Sequence, residues 1–171
     1  MKNFKYNAAG PTQEEYEIIY NTAKGKQSVL EFGPGASTWA FIDAGVLDIV
    51  SCENNDRYFE IAKGKFKDRV TLVKFDAGQF PLKIPEIDDR EFDLVLVDAP
   101  IGAQAKQTIV IPDWEGYSRI NSLIYALGKS DHIFLHDAHR EGEQNSLEVV
   151  RRLGYNVKIH NTMKGLAEIT K

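Results

Sequence analysis

The sequence predicts an α/β protein built on a doubly wound, mostly parallel sheet. Three observations support this. Short apolar runs alternate with amphipathic stretches along the chain. Five of the runs end in or just before an acidic residue: Glu31, Glu53, Asp76, Asp98 and Asp137. The first run breaks into the small-residue turn Gly33-Pro34-Gly35 and then into a helical pattern.

Taken in order, Gly10-Pro11-Thr12 ends an irregular N-terminal arm, and Thr12 with Glu15 fits a capping box for a helix reaching about Ala23, with Ile18 and Ile19 facing the core. Gly25 closes that helix. Ser28-Val29-Leu30 reads as a buried parallel strand that runs into the glycine turn. Trp39, Ala40, Phe41 and Ile42 supply the apolar face of the next helix, which stops near Gly45. Asp48 to Cys52 is a second strand ending at Glu53. Tyr58, Phe59, Ile61 and Ala62 mark another amphipathic helix, and Val70 to Val73 a third strand leading to Asp76.

Phe92 to Val97 is a fourth strand, ending at Asp98-Ala99-Pro100. Residues 101–117 exceed an ordinary strand-to-helix connection and are expected to form a substrate loop. Ile120, Leu123, Ile124 and Leu127 make a helix, and His132 to His136 a fifth strand ending at Asp137. A helix over roughly 143–152 precedes two strands, Asn156 to His160 and Leu166 to Ile169, joined as a hairpin. In such a sheet, ligands bind beyond the carboxyl ends of the strands, where the strand order reverses.

With 171 residues the chain fits one domain, 1–171, and leaves no room for a second catalytic domain. Its net charge of −4 argues against a broad nucleic-acid or anionic-membrane footprint. The run Lys63, Lys65, Lys67 and Arg69 reads as a solvated helix end. Cys52, the single cysteine, has no disulfide partner within the chain and is expected to be a buried small hydrophobe. Met1 to Tyr6 lacks the apolar core of a signal peptide, and no apolar run is long enough to span a membrane, so a cytoplasmic protein is expected.

The pattern from Glu31 to Thr38 points to a nucleotide-like cofactor. Gly33 and Gly35 let a ligand approach the backbone, unpaired N–H groups open the next helix, and Ser37 and Thr38 add hydroxyl donors. Glu53 follows Glu31 by 22 positions, close to the roughly 20-residue interval at which an acidic residue meets ribose hydroxyls. Asp76 with Ala77 suits an adenine amino group and ring.

With these residues the sequence resembles the class I S-adenosylmethionine-dependent methyltransferases over most of 28–170. That resemblance implies a seven-stranded Rossmann-like sheet with an antiparallel C-terminal hairpin. It also implies that Glu31 to Thr38 hold the methionine part of S-adenosyl-L-methionine, Glu53 its ribose, and Asp76 and Ala77 its adenine. Asp98 then lies beside the reacting centre. More narrowly, Val97-Asp98-Ala99-Pro100 and Phe134-Leu135-His136-Asp137-Ala138-His139-Arg140 look like the glucuronoxylan 4-O-methyltransferase group. His139 stands where that group has a second aspartate.

The expected reaction is transfer of a methyl group to an oxygen of a small molecule or sugar. Asp98, Asp137 and His139 are the catalytic candidates and a candidate cluster for a divalent metal: Mg²⁺ or Mn²⁺ by the carboxylates, with histidine shifting the preference toward Mn²⁺, Co²⁺ or Zn²⁺. In the metal-free alternative, Asp98 or His139 is a general base. His136 is expected to be a core or strand-end histidine that aligns the loop. Arg140 suits an acidic substrate group or a surface ion pair, and Trp114 with Tyr117 suits a sugar-stacking platform or the core. No nucleic-acid or membrane partner is expected. Two other readings stay open: a cofactor- or partner-binding protein without turnover, and a nicotinamide-dependent oxidoreductase, which the missing third glycine disfavours.

Overall fold

The computed structural model describes residues 10–100 and 119–171. The chain runs through α1 (Gln13–Ala23), β1 (Ser28–Phe32), α2 (Ala36–Ala44), β2 (Asp48–Glu53), α3 (Asp56–Phe66), β3 (Thr71–Lys74) and β4 (Leu94–Val97). It continues through α4 (Ile120–Leu127), β5 (His132–His136), α5 (Glu141–Arg152), β6 (Asn156–His160) and β7 (Leu166–Thr170). The strands form one sheet in the order β3-β2-β1-β4-β5-β7-β6. The first five are parallel, and β7 is inserted antiparallel between β5 and β6. From β1 the chain moves outward through β2 to β3, then returns to the other side of β1 with β4. The strand order therefore reverses between β1 and β4, which opens a crevice at their carboxyl ends.

Alternating side chains send each strand into two cores. Val29, Ile49, Leu94, Leu96 and Phe134 pack with Tyr16, Ile19, Phe41 and Phe66 from α1, α2 and α3. Leu30, Phe32, Val95, Val97, Ile133 and Leu135 pack on the other face with Leu123, Ala126, Leu147 and Val150 from α4 and α5. This is the doubly wound arrangement expected from the alternation of elements.

Helix α1 begins as expected, with Thr12 and Glu15 forming a reciprocal capping box. Cys52 is fully buried, and Lys63, Lys65, Lys67 and Arg69 are exposed. In α3 the expected apolar face differs from the observed one. Ala62 and Phe66, four residues apart, form the buried line, while Tyr58 and Ile61 are 43% and 51% exposed. Ile61 is turned about 100° from Ala62 around the helix axis, and α3 covers the end of the sheet where β3 has no outer neighbour. No helix among the described residues is long and apolar enough to cross a membrane. Residues 101–117, expected as a substrate loop, and with them Trp114 and Tyr117, lie outside the described residues.

Candidate functional site

The glycine turn is organised from beneath by Glu31. The parallel register sets Glu31 of β1 opposite Ser51 of β2, and the turn brings the start of α2 back over both. The Glu31 carboxylate accepts from the hydroxyls of Ser37 (2.5 Å), Thr38 (2.6 Å) and Ser51 (2.8 Å). Burial pushes its pKa up to about 7, although those three hydrogen bonds pull the other way. Ser37 and Thr38, expected to donate to a ligand, thus donate inward to Glu31, and Thr38 Oγ1 also accepts from Gly35 N at 2.8 Å. Glu31 itself is fully buried, so it shapes the turn from below.

The two glycines differ. Gly33 has φ +92°, and a Cβ there would lie 3.1 Å from Ala99 Cβ and 3.2 Å from the Asp98 backbone. It is the point at which β1 and β4 close together. Among the described residues, a Cβ on Gly35 would meet only Gly33 O, at 3.9 Å. The room that glycine provides there lies open above the turn.

Strand-end hydrogen bonds bring the acidic residues to one edge: Gly33 N donates to Cys52 O (2.9 Å), Phe75 N to Glu53 O (3.4 Å) and Asp98 N to Phe32 O (2.8 Å). Glu53, 6% exposed, accepts from Asn55 N through Oε1 at 2.8 Å. Burial raises its pKa, against the pull of the Asn55 and Asn54 backbone. Asp76 is exposed and caps its own turn, accepting from Gly78 N at 2.9 Å. The Ala77 carbonyl accepts from Asn121 Nδ2 at 3.0 Å. Asn121 Oδ1 is buried without a hydrogen-bond partner among the described residues.

A second network lies at the ends of β4 and β5. His136 presents Nδ1 to Asp98 Oδ1 (2.8 Å) and Nε2 to Glu15 Oε2 (3.3 Å). Burial alone would lower its pKa, but Asp98, Glu15 and Asp137 raise it to about 9. Glu15 also accepts from Thr162 Oγ1 (2.6 Å), Thr12 N (2.7 Å) and Lys164 N (3.3 Å). Burial acts to raise its pKa, and these bonds with the imidazolium bring it down to about 2.

Arg119, 5% exposed, reaches Asp137 at 2.9 Å, Asp98 at 3.2 Å and Glu143 at 3.5 Å. Burial would raise the Asp98 pKa, yet His136 and Arg119 hold it below the usual carboxylate range. Asp98 enters this network through Oδ1, and its side chain retains 12% exposure. Arg119 and Asp137 both adopt positive φ, +57° and +59°. Two non-glycine residues in that uncommon conformation, joined by one ion pair, mark a site whose surroundings impose its shape.

The structure therefore brings Asp98 and Asp137 together, but with His136 in place of His139. His139 Nε2 instead faces Thr162 O at 3.1 Å. After the left-handed turn at Asp137, Ala138 N and His139 N donate to Gly165 O and Lys164 O, which carries His139 onto the β6–β7 turn. Arg140 is 52% exposed and pairs with Asp137 at 2.8 Å. The residues that sequence reasoning missed are Arg119, Glu143, Ser51 and the distant partners of Glu15.

No protein-family model matches the sequence, and no curated protein sequence matches it. Solved structures do. A Staphylococcus aureus protein described as a caffeoyl-CoA O-methyltransferase aligns at a TM-score of 0.72 and 14% identity, over 95% of this chain and 85% of that one. The S-adenosylhomocysteine-bound Podospora anserina methyltransferase PaMTH1 aligns at 0.64 and 16%, over 95% and 80%. Precorrin-6y C5,15-methyltransferase from Geobacter metallireducens aligns at 0.65 and 14%, over 99% and 93%. The chain has a methyltransferase fold. At these identities the likeness reaches the fold alone, and in this fold the crevice between β1 and β4 is the place to look for chemistry.

Proposed function

We propose that the chain is an S-adenosylmethionine-dependent methyltransferase acting on an oxygen of a small molecule or sugar. The observation that carries this reading is the convergence of three features at the β1/β4 crevice: the cradle over Gly35, the Glu53 carboxylate at the end of β2, and the partly exposed Asp98 just after β4. Each suits one part of the cofactor. The Gly33–Gly35 backbone would receive the methionine portion, Glu53 would accept from the two ribose hydroxyls, and Asp76 with Ala77 would flank the adenine. The buried Oδ1 of Asn121, without a hydrogen-bond partner among the described residues and on a side chain tied to Ala77, would supply an acceptor for the adenine amino group.

When bound, the cofactor supplies an electrophilic methyl group on a sulfonium. The chain's part is to hold an acceptor oxygen in line with that group and to take its proton. Asp98, just after β4, is the partly exposed carboxylate at the crevice edge. It is held ionised by His136 and Arg119, which makes it a reliable acceptor of a hydrogen bond and a weak base. His136 has both ring nitrogens turned to carboxylates, so it orients Asp98 and is not itself placed to take the proton. Arg140, half-exposed beside Asp137, could meet an acidic group on the acceptor.

Calorimetric titration with S-adenosylhomocysteine, with NAD as the competing ligand, tests this reading. The expected result is one-to-one binding of S-adenosylhomocysteine that Glu53→Ala weakens about 100-fold, since two hydrogen bonds to a charged group are lost. Tight binding of NAD instead, or no binding of S-adenosylhomocysteine, overturns it.

A further inference from the structure

The network at the ends of β4 and β5 has the outline of a metal site. Asp98, His136 and Asp137 offer ligand atoms within 4.8 Å of one another. Their donor chemistry suits a hard or borderline divalent ion. The residues around them do not.

Arg119 already occupies the position of a cation. A guanidinium has five N–H donors, and here each of its three nitrogens donates to an acceptor. Nε donates to Pro100 O at 3.1 Å. Nη1 donates to His136 O at 2.9 Å and faces Glu143 Oε1 at 3.5 Å. Nη2 donates to Asp137 Oδ2 at 2.9 Å and faces Asp98 Oδ1 at 3.2 Å. Both carboxylates of the would-be metal site thus serve the same nitrogen. His136 is no better placed, because each ring nitrogen faces a carboxylate oxygen, and a lone pair directed at either would repel it. A divalent ion drawn in here would have to lie within a few ångströms of a buried guanidinium that has no solvent into which to retreat.

We infer that Arg119 is a built-in cation that fills the metal position of this acidic site, so that the chain binds no divalent metal there unless the guanidinium is removed. Arg119 is then a positioning residue. It holds Asp98 and Asp137 in fixed orientation, the service a metal would otherwise provide with exchangeable ligands. The inference concerns the electrostatics of the site and holds whether or not the chain transfers methyl groups.

The test is calorimetric titration of Mn²⁺ alone into the metal-stripped full chain, with circular dichroism to confirm folding of each variant. The wild type is expected to show no saturable binding that depends on Asp137. Arg119→Met and Arg119→Gln are expected to take up one Mn²⁺ per chain, with affinity on the order of 100-fold or more above the wild type. Adding Asp137→Asn to either variant is expected to abolish that binding. One Mn²⁺ bound by the wild type and lost in Asp137→Asn overturns the inference, as does a folded Arg119 variant that takes up no Mn²⁺. Should neither Arg119 variant fold, the wild type against Asp137→Asn still decides: binding that depends on Asp137 overturns the inference, and its absence supports it. Failure of S-adenosylhomocysteine to bind leaves this result untouched, so the two readings stand or fall separately.

Discussion

Glu31 and Glu15 are both buried without exposure and both fully hydrogen-bonded, yet they ionise at opposite ends of the carboxylate range. Glu31 is met by three hydroxyls and is the more deeply enclosed; its pKa rises to about 7. Glu15 is met by a hydroxyl, two backbone N–H groups and an imidazole held in its charged form; its pKa falls to about 2. Neutral donors satisfy the geometry of a buried carboxylate without offsetting the loss of solvation of its charge, whereas a cation does both. Burial thus raises the pKa of Glu31, while cationic neighbours lower those of Glu15 and Asp98.

The largest test of this contrast is to remove a cation. Arg119→Met removes the cation shared by Asp98, Asp137 and Glu143 and leaves only His136 and the half-exposed Arg140 beside them, and equilibrium urea unfolding at neutral pH should show a loss of about 3–5 kcal/mol. A loss under about 1 kcal/mol would mean that solvent reaches these groups.

Next comes Glu15→Gln, expected to cost on the order of 2 kcal/mol with a defined pH dependence. The Glu15 pKa is depressed from 4.5 to about 2, so its contribution is full above pH 4.5 and is lost as pH falls toward about 2. The His136 pKa is raised from 6.5 to about 9, so its contribution is full below pH 6.5 and is lost as pH rises through about 9. The gap between wild type and variant should therefore be widest between pH 4.5 and 6.5.

Glu31→Gln should show a different trend. Its folded pKa is raised from 4.5 to about 7, so the charged form costs the wild type nothing below pH 4.5 and progressively more up to about pH 7. The variant escapes that cost. Its deficit, about 1–2 kcal/mol near pH 4.5 from the altered hydrogen bonds, should shrink toward pH 8. Unfolding midpoints for both variants measured across this range break the comparison if the two gaps move together.

The smallest expected effect on stability is that of Gly35→Ala, within about 1 kcal/mol of wild type because its Cβ enters open space. The same substitution should weaken S-adenosylhomocysteine binding by at least about ten-fold on titration, since the methyl fills the cradle.

The sheet was legible in the sequence because buried parallel strands are continuous apolar runs, and Phe92 to Val97 or His132 to His136 leave little else for such runs to be. The strand-end acids were legible for the same reason: once a strand's end is known, so is the edge on which Glu53 or Asp98 lies. What was hidden depends on reach across the fold. Arg119 lies outside any strand and acts through a long side chain on residues from β4, β5 and α5. His139 was expected beside Asp137 by adjacency, but a single positive φ at Asp137 redirects the chain and puts His136 there instead. In α3, apolar residues at Tyr58 and Ile61 suggested a buried face where the sheet has already ended.

Glu15 sets an order of events during synthesis. Its carboxylate depends on His136, 121 positions later, and on Thr162, 147 positions later. At about 5–20 residues added per second, Glu15 is joined to the chain about 7–30 s before Thr162. Until then the helix carries a charge that cannot be buried, so its docking onto the sheet is deferred until the β6–β7 turn has been made. Helix α1, made before the sheet, is thus among the last of the described elements to find its place.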